Sequence, residues 1–110
     1  MAKFVKGDVV VVPFPFSNLS QSKRRPAIVI TALEGIDAIL CQITSKDIKD
    51  TYAISLDDTD FASGGLRQPS NIRPNRLFTA DNHIILYRAG SIKKEKLLQV
   101  VEKVVDIIKE

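Results

Sequence analysis

A helical period occurs once in this chain, and only at its end. From Ser91 onward the apolar residues Leu97, Val101, Val104 and Ile108 follow the spacing i, i+4, i+7, i+11. Leu98 and Val105 widen that stripe, while Lys94, Glu102, Lys103 and Lys109 take the opposite side. The pattern predicts one amphipathic helix over about 91–109, with Ser91 as its N-cap, packed by its apolar stripe on whatever precedes it. Nothing upstream repeats the period, so helices do not alternate with strands and a doubly wound α/β fold is excluded. One helix and many short strands make a small, strongly bent sheet or barrel. The expected class is mainly β with a C-terminal α-helix (α+β), with five to seven short strands over about 5–90.

Turn chemistry marks where those strands begin and end. Gly7-Asp8 opens a strand at Val9 to Val12, whose four consecutive β-branched residues suggest burial on both faces. Pro13 and Pro15 are expected to end its ladder, because proline donates no backbone hydrogen bond. A polar loop from Ser17 to Lys23 leads to a second strand, Pro26 to Thr31, and the turn Glu34-Gly35 leads to a third, Ala38 to Thr44. Tyr52 to Leu56 alternates as a fourth. Asp57-Asp58-Thr59-Asp60 and Gly64-Gly65 mark a long, turn-rich connection. Asn71 to Thr79 returns to extended structure with Pro74 forcing an interruption or an edge, and Ile84 to Tyr87 is the last short strand.

The 110 residues suffice for one domain, 1–110, and are too few for two with separate cores. The longest apolar run, Val9 to Phe16, is far short of the ~20 residues a membrane-crossing helix needs. The N-terminus lacks the apolar stretch and cleavage site of a signal peptide, so a cytoplasmic protein is expected. Cys41 is the only cysteine, which precludes an internal disulfide and a Cys-x-x-Cys metal site. It sits in an apolar strand and reads as a small core hydrophobe.

Net charge is +3, and its distribution is more informative than its size. Arginine concentrates at Arg24-Arg25 and from Arg67 to Arg76, whereas the C-terminal segment is rich in lysine. Arginine forks hold phosphate bidentately, while lysine more often marks a solvated face. The lone histidine, His83, lies in a polar turn and reads as a surface residue. No phosphate-cradling glycine motif is present. The acidic run at Asp57 to Asp60 lacks the spacing of a calcium loop and reads as a solvated turn. What remains is a polar and arginine set at the strand ends: Arg25, Gln42, Thr44, Ser45 and Arg73. Singly, Arg24-Arg25-Pro26 reads more readily as a charged strand entrance and Thr44-Ser45 as turn formers. Together they suit phosphodiester cleavage through a ribose 2′-hydroxyl, which needs a proton acceptor, a proton donor and groups that stabilise charge on the phosphorus oxygens. Arginine and threonine supply the last of these and are poor bases.

These residues also resemble a family. Gly7-Asp8 through Pro13-Phe14-Pro15-Phe16, followed by Lys23-Arg24-Arg25-Pro26-Ala27-Ile28-Val29-Ile30, looks like the N-terminal signature of the PemK/MazF toxins. Leu40-Cys41-Gln42-Ile43-Thr44-Ser45 looks like that family's second motif. Gly64-Gly65-Leu66, Pro69-Ser70-Asn71-Ile72-Arg73-Pro74, Leu77-Phe78-Thr79 and the final helix fit the remainder in order. The resemblance covers nearly the whole chain. It implies an SH3-like barrel, a homodimer, and the toxin of a type II toxin–antitoxin system. It further implies sequence-specific, metal-independent endoribonuclease activity on single-stranded RNA, with no cofactor. A cognate antitoxin would occupy the RNA groove and bind DNA together with the toxin.

Residue by residue, the resemblance makes Arg25 the catalytic arginine, Thr44 the transition-state-stabilising threonine and Arg73 a second arginine that some members use as general acid. Lys23, Arg24, Arg67 and Arg76 are expected to contact the RNA backbone, with Ser17, Gln42, Ser45 and Asn75 completing the substrate-binding set. The chain departs from the pattern at Asn75, where members that use the second arginine carry an aspartate as general base. Arg25 and Thr44 are therefore expected to dominate. Two other functions on the same barrel stay open: a gyrase-targeting toxin, which would act through the C-terminal helix, and a non-catalytic RNA- or partner-binding module, which Asn75 keeps in view.

Overall fold

The computed structural model describes residues 4–14, 23–47 and 49–110. Among these residues seven strands precede one helix: β1 (Asp8–Phe14), β2 (Lys23–Ala32), β3 (Asp37–Thr44), β4 (Ile54–Leu56), β5 (Phe61–Gly64), β6 (Ser70–Asp81), β7 (Tyr87–Ile92) and α1 (Lys94–Lys109). All pairings are antiparallel, in the order β4-β6-β3-β2-β1-β7-β5. A flat seven-stranded sheet would be thin in one direction. The extents of 31 × 31 × 29 Å instead show a sheet curled into a half-barrel. The expected class, mainly β with a terminal helix, is what forms.

Alternate residues feed two apolar clusters, as the period of two requires. Val9, Ile28, Ile30, Cys41, Ile43 and Ile72 join Val100 of the helix in the larger one. Val10, Val12, Ala27, Val29, Ala38 and Leu40 build the smaller one with Ala80 and Ile85. Val9 to Val12 are buried on both faces, as their β-branched run suggests. Cys41 is fully buried, and burial pushes its thiol up to about 12.

Several boundaries differ from the sequence reading. Pro13 does not end β1, which continues to pair with β2 through Pro13↔Arg24 and Phe14↔Lys23. Among the described residues pairing to β7 stops at Val11, so no ladder bond to β7 is asked of Pro13 and proline is tolerated there. Tyr52 lies in a turn. The Asp50 carboxylate accepts from the backbone N–H of Tyr52 (3.0 Å) and Ala53 (2.9 Å), which delays β4 to Ile54. The last strand is Tyr87–Ile92 rather than Ile84 to Tyr87, because Ile84 and Ile85 close turns on Asp81 and Asn82. Ser91 therefore belongs to β7, its hydroxyl 3.0 Å from that of Ser63, and Lys93 is the N-cap of the helix. The connection expected over 57–65 contains a 3-10 turn, Asp58–Asp60, closed by an Asp57–Asp60 capping box, and then the whole of β5. Pro74 interrupts β6 as expected: pairing with β3 jumps from Leu77 to Arg73 between Cys41 and Gln42. In α1, Val100 and Val104 are buried with Leu97 and Val101 beside them, while Leu98, Val105 and Ile108 stay outside. The apolar stripe is wider than the sheet beneath it covers.

Candidate functional site

Register brings the strand-end residues together. Arg25 is opposite Val12, Ala27 opposite Gln42, and Gln42 opposite Arg73. Arg25 and Ala27 are two apart, as are Gln42 and Thr44, so Arg25, Gln42, Thr44 and Arg73 share one face of the sheet. That face carries the smaller apolar cluster, and the polar group begins where its valines and leucine end.

A groove of about 860 Å³ opens there, lined by seven of the expected residues: Arg24, Arg25, Gln42, Thr44, Ser45, Arg67 and Arg73. Asn75 and Arg76 line a second hollow of about 490 Å³, which shares Phe14 and Gln42 with the first. The Pro74 interruption separates them from Arg73. Lys23 is exposed opposite Phe14, outside the groove lining. Ser17 lies outside the described residues. The groove adds side chains that sequence reasoning missed, above all Lys46, Tyr87 and Arg88. The adjacent Tyr87-Arg88 was the available signal, since an aromatic ring beside a cation suits a base and its phosphate.

Among the described residues lining the groove are five arginines and one lysine, and neither an acidic side chain nor a histidine. A net charge of +3 for the whole chain thus understates the local field. Two of these arginines are braced from outside the lining. Arg73 Nη2 donates to Asp50 Oδ2 at 2.8 Å, and Arg88 Nη1 lies 3.5 Å from Oδ1 of the buried Asp8. Asp8 Oδ2 also accepts from the backbone N–H of Val5 at 2.9 Å. The hydrogen bond from Arg73, helped by the backbone N–H groups of Ala53 and Tyr52, holds the Asp50 carboxyl below the usual carboxylate range despite partial desolvation. The Nε of Arg73 is buried and has no hydrogen-bond partner among the described residues.

Thr44 ends β3, and its Oγ1 accepts from the backbone N–H of Lys46 at 3.2 Å. Among the described residues the hydroxyl hydrogen is left for donation to a ligand. The Asn71 amide donates to the Lys46 carbonyl at 3.1 Å, tying the turn after Thr44 to β6. His83 is exposed beside Asp81 in the turn before β7, away from the groove. No described cluster of three or more His, Cys, Asp or Glu side chains could hold a metal ion. No described helix is long and apolar enough to cross a membrane.

The arrangement is a cationic cleft in which two of the five arginines are paired to carboxylates behind it and Thr44 places a hydroxyl at the end of β3. Among solved structures, the chain is similar to MazF (Form-I) from Deinococcus radiodurans, at 17% identity over 100% of both chains and a TM-score of 0.77. It is similar to Mycobacterium tuberculosis toxin MazF-mt6, at 13% identity, a TM-score of 0.73, and coverage of 93% of this chain and 96% of that one. An endoribonuclease in complex with its cognate antitoxin, from a mycobacterial species, aligns at 7% identity over 97% and 96% of the two chains, with a TM-score of 0.70. At such identities the likeness is one of fold. No curated protein sequence matches the chain. The model of the PemK-like, MazF-like toxins of type II toxin–antitoxin systems, however, matches residues 5–108, and the chain belongs to that family.

Proposed function

We propose that this toxin is a sequence-specific endoribonuclease that cuts single-stranded RNA through the ribose 2′-hydroxyl without a metal ion. The observation that carries the reading is the groove itself, whose described lining has six cationic side chains, two of them paired to carboxylates behind it, and no acidic one. Such a cleft attracts a phosphodiester backbone, and Tyr87, about half exposed at its wall, offers a face on which a base can stack. Arg25 stabilises charge developing on the phosphorus oxygens. Thr44 donates its free hydroxyl hydrogen to the same oxygens, and Arg73 is a second, fixed cation. Arg24, Arg67 and Arg88 hold neighbouring phosphates, with Gln42, Ser45 and Asn75 near enough to the track to read bases. The solved relative in complex with its cognate antitoxin supports a protein antitoxin as the partner, here a segment acidic enough to fill the cationic groove. We further infer a twofold homodimer in the cytoplasm, since Leu98, Val105 and Ile108 leave apolar surface on the helix. Light scattering at micromolar concentration should give twice the chain mass, and a monomer would contradict this.

The test is to incubate purified protein with a long single-stranded RNA in excess EDTA and to map the ends. The expected products are cut at a recurring short sequence and carry a 2′,3′-cyclic phosphate or its 3′-phosphate product. Activity abolished by EDTA and restored by magnesium would overturn the metal-free part. A second reading, a non-catalytic RNA-binding module, is favoured by one observation: no described side chain lining the groove is a ready proton acceptor. It predicts protected RNA with no cuts.

A further inference from the structure

We propose that Asp50 is a positioning residue, which locks Arg73 into the groove as a permanent cation. The inference rests on the ribonuclease reading and deepens it. Asp50 precedes β4 in the connection from β3 and stands behind the groove, outside its lining. One oxygen takes Arg73 Nη2 at 2.8 Å, while the other takes two backbone N–H groups at 2.9 and 3.0 Å. Both oxygens are engaged, so this carboxylate is built to hold a cation, not to accept a proton from a 2′-hydroxyl. Its low proton affinity agrees.

Arg73 is constrained on every side but the one that faces the groove. Its backbone pairs with Gln42 beside the Pro74 interruption, its side chain is only 16% exposed, and its Nε is buried. With Nη2 tied to Asp50, Nη1 and the second Nη2 hydrogen are the donors left for a phosphate oxygen. Arginine is a poor proton donor wherever it stands, so these donors hold charge on a phosphate oxygen instead of delivering a proton to a leaving one. The general-acid role implied by family resemblance therefore does not suit Arg73 here. The pair is also nearly neutral overall, so Arg73 adds oriented donors to the site but little to the field that captures RNA.

That division gives an unusual signature. Asp50→Asn keeps the side-chain volume and the oxygen that the backbone N–H groups need, and it removes the charge that holds Arg73. Cleavage of single-stranded RNA in EDTA should show kcat lowered about tenfold or more, the scale for a misplaced group in a preorganised site. Binding of a 2′-O-methylated copy of the same RNA, which cannot be cut, should become tighter. Its salt dependence should become steeper by roughly 0.7 in log–log slope, because one cation has been unmasked. In an Arg73→Ala background, Asp50→Asn should lower kcat no further. A merely structural Asp50 would weaken binding and slow cleavage together with a fall in Tm, and that result overturns the proposal, as would an unchanged kcat or additivity with Arg73→Ala.

Should Asp50→Asn fail to fold, nitrogen-15 NMR of the wild-type protein decides. Slowed rotation should resolve the Arg73 Nη–H resonances at neutral pH, and they should collapse only once acid protonates Asp50. Fast-rotating Nη groups at neutral pH would overturn the idea. A wild-type protein that binds but does not cut RNA sinks the ribonuclease reading instead, and the salt-slope and NMR arms still judge the Asp50–Arg73 lock.

Discussion

Replacing Gly90 by alanine tests how the edge of the groove is built. Gly90 of β7 is buried and sits opposite Gly64 of β5. A Cβ on Gly90 would lie 2.4 Å from the Ser63 carbonyl oxygen, 3.0 Å from Gly65 N and 3.1 Å from Gly64 C. All three are backbone atoms, so no side-chain rotation relieves the clash and β5 must move. Among the described residues β5 pairs only with β7, through Phe61, Ser63 and Gly64, so a shift breaks much of its ladder. Overpacking costs about 1–3 kcal/mol and each lost hydrogen bond about 1 kcal/mol, which puts the variant about 3 kcal/mol down. For a domain of this size that is roughly a 13 °C fall in Tm. Gly65 to Gln68 follow β5 and line the groove, so RNA cleavage should also fall at temperatures where the variant is still folded. Gly35→Ala is the control. Its φ of +84° is strained for alanine but no atom lies within 4 Å, so it should cost only about 1 kcal/mol and spare cleavage. Circular-dichroism melts and a cleavage assay on both variants measure this. A Gly90→Ala Tm within about 2 °C of wild type, or equal costs for the two substitutions, would refute the reasoning.

Thr44→Ala should lower kcat by less than the loss of Arg25 does, whereas Arg76→Ala, in the second hollow, should mainly raise KM and flatten the salt dependence, as steady-state kinetics at two salt concentrations would show. Asn75→Asp restores the carboxylate found in members that use the second arginine, and it should leave kcat within a few-fold; a strong acceleration would make Arg73 the leading residue. The Cys41 thiol, fully buried and held protonated, should resist a thiol reagent at pH 8 in the native protein and react fully in denaturant; rapid labelling of the folded protein would contradict its place in the core.

The features legible in the sequence were those set by local pattern. The β-branched run at Val9 to Val12, the turn at Glu34-Gly35 and the interruption at Pro74 formed as read, because period and proline chemistry act over a few residues. Phe61-Ala-Ser-Gly64 and Ala89-Gly90-Ser91 carry weak strand propensity and became strands by pairing with each other, glycine against glycine. No single-sequence pattern reports that. Ser91 looked like a helix cap and was taken by β7 for the same reason. At the site, Arg25, Gln42, Thr44 and Arg73 stood out as polar residues at the ends of apolar strands, and register gathers them on one face. Asp50 and Asp8 did not stand out. Their arginine partners lie 23 and 80 residues away in sequence, and only the fold shows which arginines are braced and which are open to a ligand.

The proposed ribonuclease mechanism requires Arg25 to act on the reacting phosphate and to do more than hold RNA. The most direct measurement is the single-turnover rate of RNA cleavage in EDTA, at saturating protein, for wild type and Arg25→Ala. Affinity for a 2′-O-methylated copy of the RNA is measured alongside. An arginine that stabilises the transition state predicts a saturated rate lowered roughly 100-fold or more, with affinity changed only a few-fold. A saturated rate equal to that of wild type, with the whole defect recovered by raising the protein concentration, would contradict it and reduce Arg25 to a backbone contact.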